Sequence, residues 1–286
     1  MTKKRILIVG IIIAVLLIGL SLLVGFARGA EPVDPEQTAW LESTLIMHRG
    51  LHDDNQIVPE NSIPAFAAAI EKGYIIELDV SMTKDKQLVV FHDKKLKRVF
   101  GIDQYLNEVT YDELSKYRLF ETEEKVPLFS EVLAFVDGQV PLLIEIKNEG
   151  EVGEMESLVF RELEDYEGLY AVQAFNPYTL KWFRENAPHV LRGQLSGSFI
   201  VSDYDVEYAG TTRLPWYKKF LLKNMLLNFE SRPNFISYEV TNVSQRTLES
   251  LQKYDVPVLG WTVKERSVYD RAVGLFDNLI VEAPAL

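Results

Sequence analysis

Nine short runs rich in isoleucine, valine, leucine and aromatic residues recur along the chain, at 44–48, 74–80, 88–91, 141–147, 170–175, 190–195, 235–239, 258–263 and 279–282. Most of the segments between them carry helical periodicity. A parallel crossover needs about a dozen residues, and every gap but one meets that length. The exception is SMTKDKQ, between Val80 and Leu88, which can only close a hairpin. The run at 88–91 therefore returns antiparallel, outside the parallel set, and eight strands remain. Residues 41–286 have the length of a (β/α)8 barrel, typically about 250 residues. The spacing predicts an α/β protein, a TIM barrel with a β-hairpin excursion; a different α/β sheet is the alternative.

Helix signals fit between the strands. The segment 60–72 has Pro64 in its first turn and Gly73 just beyond its end. Thr110 and Glu113 have capping-box spacing. Further helices are expected over 130–136, 178–186, 244–254 and 265–275. The stretch WYKKFLLKNMLLNF from Trp216 to Phe229 reads either as a membrane-surface helix or as an ordinary barrel helix packing its leucines on the sheet. The barrel helix is favoured, because apolar residues cover too much of it for a clean interfacial face.

Ahead of this body, Lys3, Lys4 and Arg5 precede an uncharged apolar run over 6–26. At about 1.5 Å per residue it would extend roughly 31 Å as a helix, against a hydrocarbon core of about 30 Å. A cleaved signal peptide fits less well, since its apolar region is usually about 7 to 15 residues and Arg28 interrupts the small-residue stretch. The expected organisation is a cytoplasmic tip and transmembrane anchor over 1–30, a proline-containing acidic stalk over 31–40 and the barrel over 41–286. The basic residues before the run place the N-terminus in the cytoplasm and the body outside the cell, at the cell membrane.

Composition narrows the function. There is no cysteine, which excludes a disulfide scaffold and a thiolate zinc site. With 30 basic against 42 acidic residues, net −12, a broad basic surface for nucleic acid is disfavoured. Hydrophobic content of 47% excludes a disordered chain. Oligomerisation is unsupported either way.

Chemistry concentrates at strand ends. Glu77 and Asp79 stand at i and i+2 in YIIELDV, so both leave the same face, with Cα atoms about 6 to 7 Å apart. Such a pair in a barrel strand repels unless a cation lies between. PLLIEIKN repeats the pattern with Glu145 and Lys147, where a plain intrastrand ion pair is the simple alternative. Both pairs lie towards the C-terminal ends of their strands, the face that carries barrel active sites. Three carboxylates without cysteine suit a hard ion, Mg²⁺ or Ca²⁺. His48, followed by Arg49, and His92, followed by Asp93, end two further runs and look like an acid/base pair. His52 and His189 lack such settings and are expected on the surface. Arg49 and a metal would hold the nonbridging oxygens of a phosphodiester while the imidazoles move protons.

The ordered motifs HRG (48–50), PENS (59–62), ELDVSMTKD from Glu77, VVFHD ending at Asp93, EIK (145–147) and GWTV (260–263) resemble the glycerophosphodiester phosphodiesterases, which are barrel enzymes. The resemblance runs from His48 nearly to the C-terminus. It implies metal-dependent hydrolysis of a glycerol phosphodiester to glycerol 3-phosphate and an alcohol. By motif, Glu77, Asp79 and Glu145 would ligate the metal, His48 and His92 would be the acid and base, and Arg49 and Lys147 would contact phosphate. Glu60 and Asn61 would support or join the site, and Trp261 would wall the glycerol. Three departures stand out: Lys86 at a hairpin-turn position usually glycine, Lys264 where a small polar residue is common, and Glu282 in place of aspartate. Two other readings keep the scaffold: a noncatalytic phosphate-binding module at the cell surface, and a phospholipase D-type enzyme acting on lysophospholipids.

Overall fold

A computed structural model describes residues 3–148 and 150–283, with side chains from residue 11 onward. All nine apolar runs form strands: β1 (Ile46–Met47), β2 (Ile75–Met82), β3 (Leu88–Val90), β4 (Leu142–Ile146), β5 (Tyr170–Ala174), β6 (Leu191–Ser196), β7 (Phe235–Glu239), β8 (Val258–Val263) and β9 (Asn278–Val281). β1 pairs with both β2 and β9, so β1, β2 and β4 to β9 close into an eight-stranded parallel barrel. β3 pairs antiparallel with β2, Val80 opposite Val90, which is the hairpin that the short connection demands.

Lys86 closes this hairpin at φ 64°, a left-handed conformation that costs an L side chain about 1 kcal/mol or more. Among the described residues its Nζ makes only an exposed ion pair with Glu154, worth little. Lys86→Gly is therefore expected to raise stability by up to about 1 kcal/mol, read as a higher urea midpoint at unchanged slope. A lower midpoint would show that the Glu154 contact outweighs the backbone strain.

The expected helices form, capped as their sequences suggest. Ser62 caps Ile63–Glu71 and Gly73 follows at φ 66°. Thr110 and Glu113 make their capping box around Tyr111–Leu114. Ser244 caps Gln245–Leu251. Of the expected stretch 216–229, Trp216–Lys223 is helical and buries none of its residues, while Met225 beyond it packs into the barrel's main core. Between β3 and β4 the chain leaves the barrel and builds its own small core, in which Leu96, Val99, Leu106, Leu114 and Leu119 pack on Val89 and Phe91.

The N-terminal expectation is corrected. A helix runs over Lys3–Ala27, but no helix among the described residues is long and apolar enough to cross a membrane. Of the expected span over 6–26, residues 11–26 lie within the described side chains. The remainder of the expected span, with Lys3, Lys4 and Arg5, lies outside the described side chains. The single-pass anchor, the cytoplasmic N-terminus and the extracellular placement of the body therefore do not stand. Following this helix, residues 31–40 lie against the barrel floor. Glu31 N–H donates to the Pro233 carbonyl at 2.9 Å, its carboxylate pairs with buried Arg192, and Thr38 and Trp40 are buried.

The barrel interior is layered by the two-residue period of its strands. Ile46, Ile75, Leu143, Ala171, Phe235, Leu259 and Ile280 form an apolar floor, plugged by Trp40 and Leu41. Two residues further towards the C-terminal end of each strand, the inward positions are His48, Glu77, Glu145, Gln173, Ser237, Trp261 and Glu282. In β6 the same step lands on Gly193, where a Cβ would meet the Phe235 ring at 2.0 Å. One turn of the pleat thus separates a dry floor from a polar ceiling.

Candidate active site

Glu77, Asp79 and Glu145 are buried in that ceiling, and each presents a carboxylate oxygen within 4.8 Å of the others. Parallel pairing of β2 with β4 sets Asp79 opposite Glu145. Burial together with the charges of Asp79 and Glu145 pushes the Glu77 carboxyl well above its ordinary range. Glu145 is also raised, by burial, in spite of Lys147. Asp79 goes the other way: burial alone would raise it, but Lys147, His92 and Arg49 prevail and hold it below the usual carboxylate range.

The loops at this rim supply the cations. Lys147 Nζ lies 2.7 Å from Glu145 Oε1 and 3.3 Å from Asp79 Oδ1, so the intrastrand pair exists but also reaches across to β2. Arg49, at φ 57°, donates its backbone N–H to Glu77 Oε2 at 3.1 Å. Its guanidinium contacts Glu60 Oε1 at 2.7 Å and Asp79 Oδ2 at 3.1 Å. Gly50 at φ 80° lets this loop press against the helix 63–71, where a Cβ would meet Ala65 at 2.9 Å. Asn61 Nδ2 donates to Asp79 Oδ2 at 2.9 Å.

The two histidines stand at the same end of the barrel. His48 follows β1, and its backbone N–H donates to the Val281 carbonyl. His92 follows β3, whose Phe91 N–H donates to the Asp79 carbonyl. Each ring is held through Nδ1 by a carboxylate, His48 by Glu282 at 2.9 Å and His92 by Asp93 at 2.6 Å. Burial and the Arg49 charge lower His48 to about 4 despite Glu282. His92 is likewise pushed well below its ordinary value, by burial first and then by Arg49 and Lys147. Both imidazoles are neutral at pH 7. A carboxylate can only accept, so in each ring Nδ1 carries the hydrogen and Nε2 keeps a free lone pair.

Trp261 Nε1 donates to the Ser237 carbonyl at 3.1 Å, and its ring meets Phe175 edge-on at 5.5 Å. Phe175 in turn meets Phe199, giving one side of the rim an aromatic wall.

A sequence profile of the glycerophosphoryl diester phosphodiesterase family matches residues 48–283. The chain belongs to this family. A glycerophosphodiester phosphodiesterase of Caldanaerobacter subterraneus is 29% identical over 257 residues, 85% of this chain and 96% of the relative. Among solved structures, an Oleispira antarctica phosphodiesterase in complex with the product sn-glycerol-3-phosphate superposes with TM-score 0.65 at 19% identity, covering 85% of this chain and 94% of that one. A Thermotoga maritima glycerophosphodiester phosphodiesterase gives 0.59 at 23% identity, covering 85% and 96%. The chain is thus a phosphodiesterase of the glycerophosphodiester class, for which the motif resemblance implies a divalent metal.

The residues present fit such an ion. Asp79 Oδ1 is buried and accepts no hydrogen bond, with only the Lys147 ammonium nearby at 3.3 Å, and a purely oxygen donor set of three carboxylates suits a hard cation. Several other residues around this candidate site escape motif reading. Gln173 donates to Glu77 at 3.3 Å and accepts from Ser237 Oγ at 2.8 Å. Arg98 bridges Glu60 and Asp93, each at 2.6 Å. The period-2 step from the floor finds Gln173 and Ser237; Arg98 has no sequence signal. His52, expected on the surface, is buried, with Nδ1 accepting from the Asp54 N–H at 3.3 Å.

Proposed function

We propose that this phosphodiesterase hydrolyses glycerophosphodiesters to glycerol 3-phosphate and an alcohol, with His48 and His92 transferring the protons. The observation that carries this is the pair of imidazoles at one rim, each with Nδ1 tied to a carboxylate and Nε2 free, beside three carboxylates and two cations. Glu77, Asp79 and Glu145 would hold Mg²⁺ or Ca²⁺. Such an ion, when bound, supplies positive charge for the nonbridging oxygens, where negative charge develops.

The chain's own residues do the rest. Arg49 and Lys147 face the phosphate, and Glu60 acts by holding Arg49 in place. One Nε2 takes the proton of the attacking oxygen, either a water or the neighbouring glycerol hydroxyl; in the second case the cyclic phosphate formed is opened by water in a further step. The other delivers a proton to the departing alkoxide; the negative phosphate raises the basicity of an imidazole beside it and so loads this acid. Trp261 and Phe175 offer a flat apolar surface to the glycerol carbons.

Incubating the protein with glycerophosphocholine and Mg²⁺ or Ca²⁺ is expected to release glycerol 3-phosphate, and chelation should stop the release. His48→Ala and His92→Ala should each slow it by at least about a hundredfold. Full activity in either variant would defeat the proton-transfer assignment. Binding of phosphodiesters without turnover would favour the phosphate-binding module. Choline released from lysophosphatidylcholine but not from glycerophosphocholine would favour the phospholipase D-type enzyme.

A further inference from the structure

Two of the departures noted in the sequence, Lys264 and Glu282, meet at a single oxygen atom. Glu282 Oε1 lies 2.9 Å from His48 Nδ1 and 2.8 Å from Lys264 Nζ. The three residues come from consecutive barrel positions at the C-terminal ends of β1, β8 and β9. Their main chains are tied across those strands, with His48 N–H donating to the Val281 carbonyl and Glu282 N–H to the Val263 carbonyl, each at 2.9 Å. Ladder bonds immediately beneath the three side chains leave them little freedom to drift relative to one another.

We propose that Glu282 is a positioning residue for the phosphodiesterase reaction, fixing the tautomer and ring plane of His48, and that Lys264 braces Glu282 from the solvent side. This rests on the proposed proton-transfer role of His48. The physical case begins with the carboxylate. Burial acts to raise Glu282, but the hydrogen bond from His48 and the Lys264 charge outweigh it and hold the group at about 2. An anionic oxygen has no hydrogen to give, so Nδ1 must donate and Nε2 is left bare.

The orientation follows from the same bond. With Nδ1 turned towards β9, Nε2 is turned away from it, and the Asp79 carboxylate makes itself felt at the ring. Without the carboxylate, the neutral imidazole would divide between two tautomers and two flipped ring planes, and only one of these combinations presents a lone pair to the reacting group. Lys264 Nζ shares Oε1 with the ring, and its side chain is largely exposed. Its contribution is to hold the longer glutamate arm extended, and it contacts no other described carboxylate.

The test uses the full chain labelled with ¹⁵N-histidine. Long-range ¹H–¹⁵N spectra report the tautomer of each imidazole, and His48 is assigned by its absence in His48→Gln. The expected wild-type pattern is protonated Nδ1 and bare Nε2. Glu282→Gln should give mixed tautomers and a kcat about 10²- to 10⁴-fold lower, with KM within about twofold. Glu282→Asp should restore the single tautomer and bring kcat to within about tenfold of wild type. Lys264→Asn should keep the tautomer and lower kcat by less than about tenfold.

A single Nδ1–H tautomer with wild-type kcat in Glu282→Gln would overturn the proposal, as would a loss expressed mainly in KM. If Glu282→Gln does not fold, Glu282→Asp decides: mixed tautomers there would also overturn it. A wild-type chain that cleaves no glycerophosphodiester would instead defeat the functional reading, while the spectra would still report whether Glu282 sets the tautomer.

Discussion

Glu77→Gln is expected to lower metal-dependent turnover by at least about 10³-fold, corresponding to several kcal/mol of lost charge stabilisation, while leaving the metal-free protein as stable as the wild type or more so. Glu77, Asp79 and Glu145 share one buried space with oxygens within 4.8 Å, and folding brings their charges together. Burial and its two acidic neighbours raise Glu77 well above its ordinary value. The folded chain therefore keeps a proton that the unfolded chain has released. By linkage, stability falls as pH rises from the unfolded value of 4.5 up to the folded one. Glu145 acts in the same direction. Asp79, held below 3.8, contributes stability that is complete above that value and is lost only in stronger acid.

The amide introduced by Glu77→Gln is close in shape to the protonated acid and cannot ionise, so the substitution removes one part of the alkaline loss. A metal held by the ionised trio would reverse the sign for the wild type, stabilising it by mass action. Melting curves from pH 5 to 9, with chelator and with Mg²⁺ or Ca²⁺, read all of this. The wild type should gain from the ion most at high pH, and Glu77→Gln should gain little. An undiminished metal-induced rise in Tm for Glu77→Gln would remove Glu77 from the ligand set.

The fold was legible for a physical reason. A closed parallel barrel buries both faces of its strands, so each strand is written as an apolar run, and the crossover length separates β3 from the rest. Glu77 and Asp79 were legible because two carboxylates cannot sit in such a run without a purpose. The residues that stayed hidden act across the barrel. Gln173 reaches Glu77 from 96 positions away, and Glu282 reaches His48 from 234; nothing local marks either. Once Ile75, Ala171, Phe235 and Ile280 are known to form the floor, adding two to each number finds Glu77, Gln173, Ser237 and Glu282. The pattern was in the sequence, but its register was not.

Elsewhere local pattern misled or fell silent. The apolar stretch near the N-terminus was measured by length, and length alone does not establish a membrane span. Trp216–Lys223 carries leucines at helical spacing, yet it buries none of its residues. The small core between β3 and β4 draws on positions such as Leu96, Leu106 and Leu119, which follow neither a helical nor a strand period because the chain there is mostly turns and single helical turns.

Arg98→Met is expected to destabilise the protein by about 3 to 5 kcal/mol, the usual effect of removing one partner from a buried charge network. Arg98 comes from the excursion after β3 and donates to Asp93 through Nε at 2.6 Å and to Glu60 through Nη2 at 2.6 Å. Glu60 also takes Arg49 Nη1 at 2.7 Å, and Asp93 takes His92 Nδ1 at 2.6 Å. The four charged residues form one chain that ends on an imidazole. Methionine keeps much of the volume over the Phe120 ring, which the guanidinium covers at 5.3 Å, so packing loss is small and the expected effect is electrostatic. Burial would raise Glu60, but Arg49 and Arg98 hold it well below 4.5. Its stabilising contribution is therefore present above the unfolded value and lost as pH falls through the folded one. Removing Arg98 narrows that gap, so acid unfolding of the variant should begin at higher pH. Asp93→Asn in the Arg98→Met background should cost less than Asp93→Asn alone, since part of the interaction has already gone. Urea titrations of the four proteins give the coupling directly. A single-variant loss below about 1 kcal/mol would mean the network is solvated and worth no more than a surface pair. If the loss is as large as expected, the excursion after β3 stabilises the barrel rim and aligns His92 through the same guanidinium.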